Sequence, residues 1–315
     1  MRIVFFGTPE PAAGILELLL QSEHKIVGVV SQPDRPKGRG LKVGFSPVKE
    51  LALKHSLPLE QPEKLKGNEE LKRFLSDLSP ELAIVVAYGK IIPAELLTIP
   101  KHGFINLHAS LLPKYRGAAP IQWALLKGEK ETGVTIFKLQ AALDAGPIIK
   151  QVAVRIEKDD DAATLSAKLF AAGGKALLEV LPLIEQGRAQ YRLQTESAVT
   201  FAPILTRESG AIDWKKSAGE IHDRVRALVG WPGATTLLGG KQLKILRSRI
   251  GVVDLATQPR TPGSIVQIVK DEGFIVATGS GDLLVQDVQP AGGKKMGAYE
   301  FALGRRLQTG AILPS

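Results

Sequence analysis

The chain has no cysteine, which removes disulfides, thiolate metal sites and a cysteine nucleophile from consideration. Histidine is sparse: His24, His55, His102, His108 and His222 are scattered, with no H-E-x-x-H spacing, so no metal is expected. Aromatic residues make up only 5% of the chain. No apolar run approaches the roughly 18 residues that a membrane helix requires. The opening residues, MRIVFFGTPE, break at Gly7 and Pro9, too early for the apolar region of a signal peptide. They read as a buried first strand, and a cytoplasmic protein is the expectation.

What is present fits a soluble globular chain, with 44% hydrophobic and 23% charged residues. At 315 residues it is long enough for about two domains. The formal net charge is +9. Residues 1–200 carry 26 Lys and Arg against 22 Asp and Glu, and residues 201–315 carry 15 against 10. Such a balance fits attraction to a polyanion such as nucleic acid. A basic protein with no nucleic-acid partner fits the composition equally well.

Strand-like and helix-like segments alternate over residues 1–190. Residues 2–6, 26–31, 82–87, 104–108, 132–139 and 148–154 read as strands, and residues 11–20, 48–55 and 71–78 as helices. Ser46-Pro47 looks like an N-cap followed by proline at the first helical position. The clearest helix runs from Ala162 to Ile184, where Leu165, Leu169, Ala172, Ala176, Val180 and Ile184 recur at three- and four-residue steps. Asp159–Asp161 precede it, at the end that favours negative charge. Continuous apolar strands between helices predict a mostly parallel α/β sheet covered on both faces. Beyond residue 235 the pattern changes to five short strands with glycine turns, which suggests a small β-barrel, with an OB-like barrel as one candidate. The expected division is a catalytic domain over 1–189, a linker over 190–208 and a second domain over 209–315.

Three segments could carry chemistry. Gly7-Thr8-Pro9-Glu10 stands where a dinucleotide fingerprint would be, but the later glycines are missing, which disfavours a nicotinamide enzyme. Asn106 and His108 lie two apart at the end of a strand, so both point to one side at the edge where α/β sheets bind ligands. A lone histidine there is more often structural; a paired Asn and His brings the two readings level. Asp144, in Ala142-Leu143-Asp144-Ala145-Gly146-Pro147, is by pattern an ordinary turn aspartate. The functional alternative is that it faces His108, where a carboxylate would orient the ring and favour its charged form. The loop Gln32–Lys42 holds Arg35, Lys37, Arg39 and Lys42 among glycines and prolines. It is either a solvated basic loop or an arm for a phosphate backbone.

On these residues the chain resembles the folate-dependent formyltransferases. The resemblance rests on FGTP at 5–8, SQPDRPKGRG at 31–40, VVAYGKIIP at 85–93, NLHASLLPKYRGAAPIQWAL from Asn106, ETGVTIFKL at 131–139, ALDAG from Ala142, WPGA at 231–234 and QPAGGKKM at 289–296. It spans both halves. The SLLP block is shared across the family, whereas the basic loop and the C-terminal part point to the methionyl-tRNA branch. Two departures stand out: the family's GLDTG turn is ALDAG here, and Pro11 replaces a usual aromatic residue after FGTPE.

The resemblance implies a Rossmann-like formyltransferase domain followed by an OB-like tRNA-binding barrel. It implies 10-formyltetrahydrofolate as donor, the α-amine of methionyl initiator tRNA as acceptor, and no metal. By position, Asn106, His108 and Asp144 become the catalytic set, and Ser110, Leu111, Leu112 and Pro113 line the folate site. Arg35, Lys37, Arg39 and Lys42 would approach the tRNA, and the enzyme is expected to work as a monomer. The alternative within the family is a formyltransferase acting on a small amine, a nucleotide precursor or an amino sugar. A non-catalytic RNA-binding protein is disfavoured, because it would have no use for the whole Asn/His/Asp set.

Overall fold

The first apolar run forms strand β1 (Arg2–Gly7), and helix α1 (Glu10–Leu20) follows directly. The computed structural model describes residues 1–37, 42–251 and 260–314. Strand β2 (Lys25–Val30) leads into a hairpin of β3 (Arg35–Lys37) and β4 (Lys42–Gly44). Helix α2 (Pro47–Lys54) starts as its sequence predicts: the Ser46 hydroxyl accepts the Lys49 N–H at 3.1 Å. Strand β5 (Leu59–Glu60), helix α3 (Glu69–Leu78), strand β6 (Leu82–Val86), helix α4 (Ala94–Leu97) and strand β7 (Phe104–His108) continue the alternation. The Asn68 side chain caps α3 by accepting from Leu71 N–H at 2.8 Å. After β8 (Arg116–Gly117) and α5 (Pro120–Leu126), β9 (Glu131–Lys138) and β10 (Ile148–Arg155) pair with each other. The long helix α6 (Ala162–Glu185) keeps the predicted start. Asp161 Oδ1 accepts the N–H groups of Ala163 and Thr164, both at 2.9 Å, which satisfies donors that a helix start leaves free.

The chain divides into two units. The first takes Met1–Pro120, Glu131–Arg155 and Ser166–Pro203; the second takes Ile121–Lys130, Ile156–Leu165 and the residues from Ile204 on. The first unit is a Rossmann-like sheet of seven strands in the order β10-β9-β7-β6-β1-β2-β5. Strands β5, β2, β1, β6 and β7 run parallel, while β9 and β10 are antiparallel additions at one edge. The strand order reverses at β1, with β2 on one side and β6 on the other. Such a switch point opens a crevice at the carboxyl ends of the strands. Apolar residues cover both faces of the sheet: Val4, Phe6, Leu71, Leu75, Val85 and Phe104 form one cluster. On the opposite face Leu107 packs against Gly173 of α6. That double burial is why these strands read as unbroken apolar runs.

From Gln190 onward, a stretch whose sequence reads as a linker, the chain hydrogen-bonds back to the first unit. Arg192 exchanges backbone hydrogen bonds with Ile148 at 2.8 and 2.7 Å. Strand β11 (Phe201–Ala202) pairs in parallel with β8.

The second unit is antiparallel. Helix α7 (Ala218–Ala227) is opened by a capping box between Ser217 and Glu220. Strands β12 (Ala234–Leu238), β13 (Lys241–Gly251), β14 (Ile265–Val269), β15 (Gly273–Ala277) and β16 (Asp282–Pro290) follow. Strand β17 (Met296–Gly297) and helix α8 (Ala298–Arg305) complete the unit. The sheet order is β12-β13-β16-β15-β14, with β17 on β16. Two register shifts in β13 mark bulges, which bend and twist a long strand into a barrel-like sheet. Trp214, Phe274, Leu283, Val285 and Phe301 fill its core. No described helix is long and apolar enough to cross a membrane.

In this second unit the half-buried His222 Nδ1 lies 3.1 Å from the Ser248 hydroxyl. Burial, and then the Arg226 charge, push its pKa below the usual 6.5; Asp223, the Lys158 backbone and Asp159 partly oppose this. A histidine depressed in the fold destabilises it as pH falls through the unfolded value, because the unfolded chain then binds the proton more readily. Denaturant unfolding followed at pH 7.5 and pH 5.5 is expected to show a loss of stability at the lower pH that His222→Gln reduces.

Candidate active site

Strand β7 pairs with β6 and β9 so that Asn106 sits between Val85 and Phe137, and His108 opposite Thr135. Strand alternation puts Asn106 and His108 on one face, at the carboxyl end of the sheet next to the switch point. The Asn106 side chain is half-buried and makes no hydrogen bond to the described residues. Its amide remains available as a donor. His108 is only 6% exposed, packed edge-on against Phe137 at 6.4 Å between ring centres.

Two neighbours fix the His108 ring. Nε2 lies 2.9 Å from the carbonyl oxygen of Tyr115. A carbonyl can only accept, so this bond assigns the Nε2 hydrogen and leaves Nδ1 facing the other way. Nδ1 lies 3.8 Å from Asp144 Oδ2. That separation sets the ring beside the carboxylate but is too long for a direct hydrogen bond.

Asp144 is buried although it lies in a loop, and its backbone is left-handed, with φ +47°. This conformation costs a non-glycine residue about 1 kcal/mol, so the surroundings must enforce it. Oδ2 accepts the backbone N–H of Gly117 at 2.8 Å. The Gln194 amide donates to the carbonyls of Asp144 at 2.7 Å and Gly146 at 2.8 Å. Its own oxygen accepts from Arg116 Nε at 3.1 Å and Nη2 at 2.8 Å. Arg116, buried at the side chain, also meets Glu196 Oε1 at 2.8 Å, and this bond holds the Glu196 carboxyl below its usual range. Gly117 has φ +126°, and a Cβ there would sit 2.6 Å from the Ala202 carbonyl oxygen. Only glycine allows β8 to lie this close to β11.

The loop from Ser110 to Pro113 is held as firmly. Thr135 Oγ1 donates to the Ser110 carbonyl at 2.6 Å and accepts the Leu112 N–H at 3.1 Å. Gln151 Nε2 donates to the Leu112 carbonyl at 2.8 Å. The Ser110 hydroxyl is committed to the Lys114 carbonyl at 2.6 Å. Leu112 packs with Phe137 and Ile148. Ser110 and Leu112 therefore point into the protein, while Leu111 and Pro113 are half-buried.

Across the switch point, the loop after β6 has left-handed residues at Ala87 (φ +45°) and Gly89 (φ +87°). The Thr8 hydroxyl and Gln32 Nε2 both donate to the Tyr88 carbonyl, at 3.2 and 3.0 Å. Burial raises the Tyr88 phenol, whose hydroxyl has no partner among the described residues. The basic hairpin roots nearby: Asp34 pairs with Lys49 and accepts from Gln61 Nε2 at 3.0 Å. Arg35 is exposed, and Lys37 and Lys42 stand opposite each other in the backbone register of the hairpin. Arg39 lies outside the described residues. No group of three His, Asp or Glu side chains that could hold a metal occurs among the described residues.

The structure thus joins His108 to Asp144 and keeps Asn106 on the face of His108. Sequence reasoning missed Gln194, Thr135 and Gln151, which bind these loops from elsewhere in the unit, and Arg116, which lies in the loop after β7 itself. Their spacing from the site, 50 residues between Gln194 and Asp144, leaves no local signal.

The formyl transferase family profile matches residues 1–181, and the profile for the formyl transferase C-terminal domain matches residues 204–306. The chain belongs to the formyl transferase family. A methionyl-tRNA formyltransferase from Caldanaerobacter subterraneus subsp. tengcongensis is 46% identical over 313 residues, 99% of this chain and 100% of the relative. The protein of the same name from Trichlorobacter lovleyi is 44% identical, covering 99% of this chain and 96% of its own length. Among solved structures, HypX from Aquifex aeolicus shares the fold at a TM-score of 0.68 and 18% identity, over 96% of this chain and 48% of HypX. The same protein has been solved in complex with tetrahydrofolic acid, matching at a TM-score of 0.63 and 17% identity over 96% of this chain and 47% of that one.

A side chain at Gly146 would overlap the Lys138 carbonyl oxygen, so the turn that carries Asp144 would have to move. Gly146→Ala is expected to lower formyl transfer at least about tenfold, measured as kcat with the variant shown to be folded by circular dichroism.

Proposed function

We propose that this formyl transferase moves the formyl group of 10-formyltetrahydrofolate to the α-amine of methionyl initiator tRNA, with Asn106, His108 and Asp144 as its catalytic residues. The observation that carries the residue assignment is the buried His108–Asp144 pair, 3.8 Å apart, with Asn106 on the same face of β7. The identity of this chain to the relatives named methionyl-tRNA formyltransferase supports the acceptor.

The neutral methionyl amine attacks the formyl carbon and forms a C–N bond. The carbonyl oxygen becomes a tetrahedral oxyanion. The free Asn106 amide donates a hydrogen bond to it, as does charged His108 through Nδ1, because Nε2 is engaged with Tyr115. Preorganised donors of this kind are worth about 3 kcal/mol each. Asp144 accepts the proton that the amine sheds and passes it to N10 of the folate as the bond from N10 to the formyl carbon breaks. The products are formylmethionyl-tRNA and tetrahydrofolate. The gap between Nδ1 and Oδ2 suits this role: catalytic hydrogen bonds are often long before substrate arrives.

Ser110, Leu111, Leu112 and Pro113 form a stiff wall of the folate site. Since the Ser110 hydroxyl is committed within the protein, they contribute shape and apolar surface, not hydrogen bonds from side chains. Residues 1–189 carry the reacting groups, 190–208 connect the two parts, and 209–315 bind the tRNA, as do the basic residues Arg35, Lys37, Arg39 and Lys42. The enzyme acts as a monomer in the cytoplasm.

Formyl transfer should be measured with methionylated initiator tRNA, methionylated elongator tRNA and free methionine as acceptors. Strong activity on the first alone supports the reading, whereas transfer to a small amine such as an amino sugar in preference to tRNA would defeat it. His108→Ala and Asp144→Asn are each expected to lower kcat about a hundredfold with little effect on tRNA affinity; near-normal turnover in both would remove the mechanism. Arg35→Ala should flatten the dependence of log affinity for tRNA on log salt by roughly one unit for each phosphate the arginine neutralises, read from binding titrations at several salt concentrations.

A further inference from the structure

We infer that Gln194 is a positioning residue for Asp144, and that its side chain holds the turn that presents the carboxylate to His108. The inference rests on the reading of His108 and Asp144 as reacting groups. Within the turn itself the backbone bond from the Ala145 N–H to the Ala142 carbonyl is long, at 3.5 Å. Ala141, Ala142 and Leu143 are exposed, and Ala142 and Ala145 have no polar side-chain atom to cap the left-handed backbone. Gln194 supplies the missing bonds from outside, taking the carbonyls of Asp144 and Gly146 with its two amide hydrogens at 2.7 and 2.8 Å.

The remaining capacity of the amide is also used. Both lone pairs of its oxygen accept from Arg116, so all four hydrogen-bonding positions of the side chain are filled. Position 194 must offer donors to two carbonyls and an acceptor to a guanidinium. A carboxylate lacks the donors, a lysine or arginine lacks the acceptor, and an apolar residue lacks both. Arg116 and Gly117 then act on Asp144 by two routes. The N–H of Gly117 holds Oδ2 at 2.8 Å, and the Arg116 side chain holds the glutamine that holds the main chain. Carboxylate and backbone are thus gripped from one dipeptide.

Gln194→Met keeps the shape of the side chain and removes all four bonds. Gln194→Glu keeps the acceptor for Arg116 and removes the donors, so it guards against simple misfolding. Both should be assayed with 10-formyltetrahydrofolate and methionyl initiator tRNA, alone and combined with Asp144→Ala. The expected result is a kcat about tenfold to thirtyfold lower in both single variants, with KM for both substrates within about twofold. In the Asp144→Ala background the further loss from Gln194→Met should vanish, because the residue being positioned is gone. Equal fold losses in the two backgrounds would mean a general structural effect and overturn the inference. Unchanged kcat in both Gln194 variants beside a disabled Asp144→Ala would overturn it while leaving the site reading intact. Full turnover in Asp144→Ala itself would overturn the site reading and this inference together.

Discussion

The hydrogen bond from the Gly117 N–H to Asp144 Oδ2, at 2.8 Å, joins the loop that follows β7 to the loop between β9 and β10. His108 is oriented by the Tyr115 carbonyl, two residues before Gly117, and Asp144 is held by Gly117 itself. A single short segment, Tyr115–Gly117, therefore sets the angle of the ring and the position of the carboxylate together. Tyr115 is itself left-handed, with φ +61°, and its N–H is bound by the Thr200 hydroxyl at 2.8 Å. Backbone strain is concentrated where the two loops meet, and polar groups from a distant segment enforce it.

The sheet sets where these two loops begin. Parallel strands alone would send every connection across a helix, but β9 and β10 join antiparallel at the edge of β7. Lys138, the last residue of β9, pairs with Ile105 near the start of β7, so the loop between β9 and β10 leaves at the opposite end of β7 from His108 and folds back to bring Asp144 beside the ring. The fold brings together a histidine from the end of a parallel strand and a carboxylate from the folded-back loop of an antiparallel hairpin.

Much of this is legible in the sequence, for identifiable reasons. The α6 helix declares itself through its apolar period, and α2 through Ser46-Pro47, because both signals are local. Asn106 and His108 stand out as polar residues at two-residue spacing where the neighbours are buried. The partnership of His108 with Asp144 is one of two open readings, since a turn aspartate looks the same whether or not a histidine faces it. The inward direction of Ser110 and Leu112 is hidden because a loop has no period to reveal its buried side. Gln194 and Thr200 are hidden for a related reason: polar side chains that reach across the chain to bind backbone groups leave no pattern in their own neighbourhood.

The course of residues 190–202 has a consequence for what holds the first unit together. In hydrophobic terms the first unit could end with α6, whose apolar face already completes the sheet. The segment beyond it brings few buried side chains but supplies the Ile148 bridge, the amide of Gln194, the hydroxyl of Thr200 and the edge strand beside Gly117. These bonds clasp the loop that follows His108 and the loop that carries Asp144. Residues 190–202 serve the first unit through polar bonds more than through apolar burial.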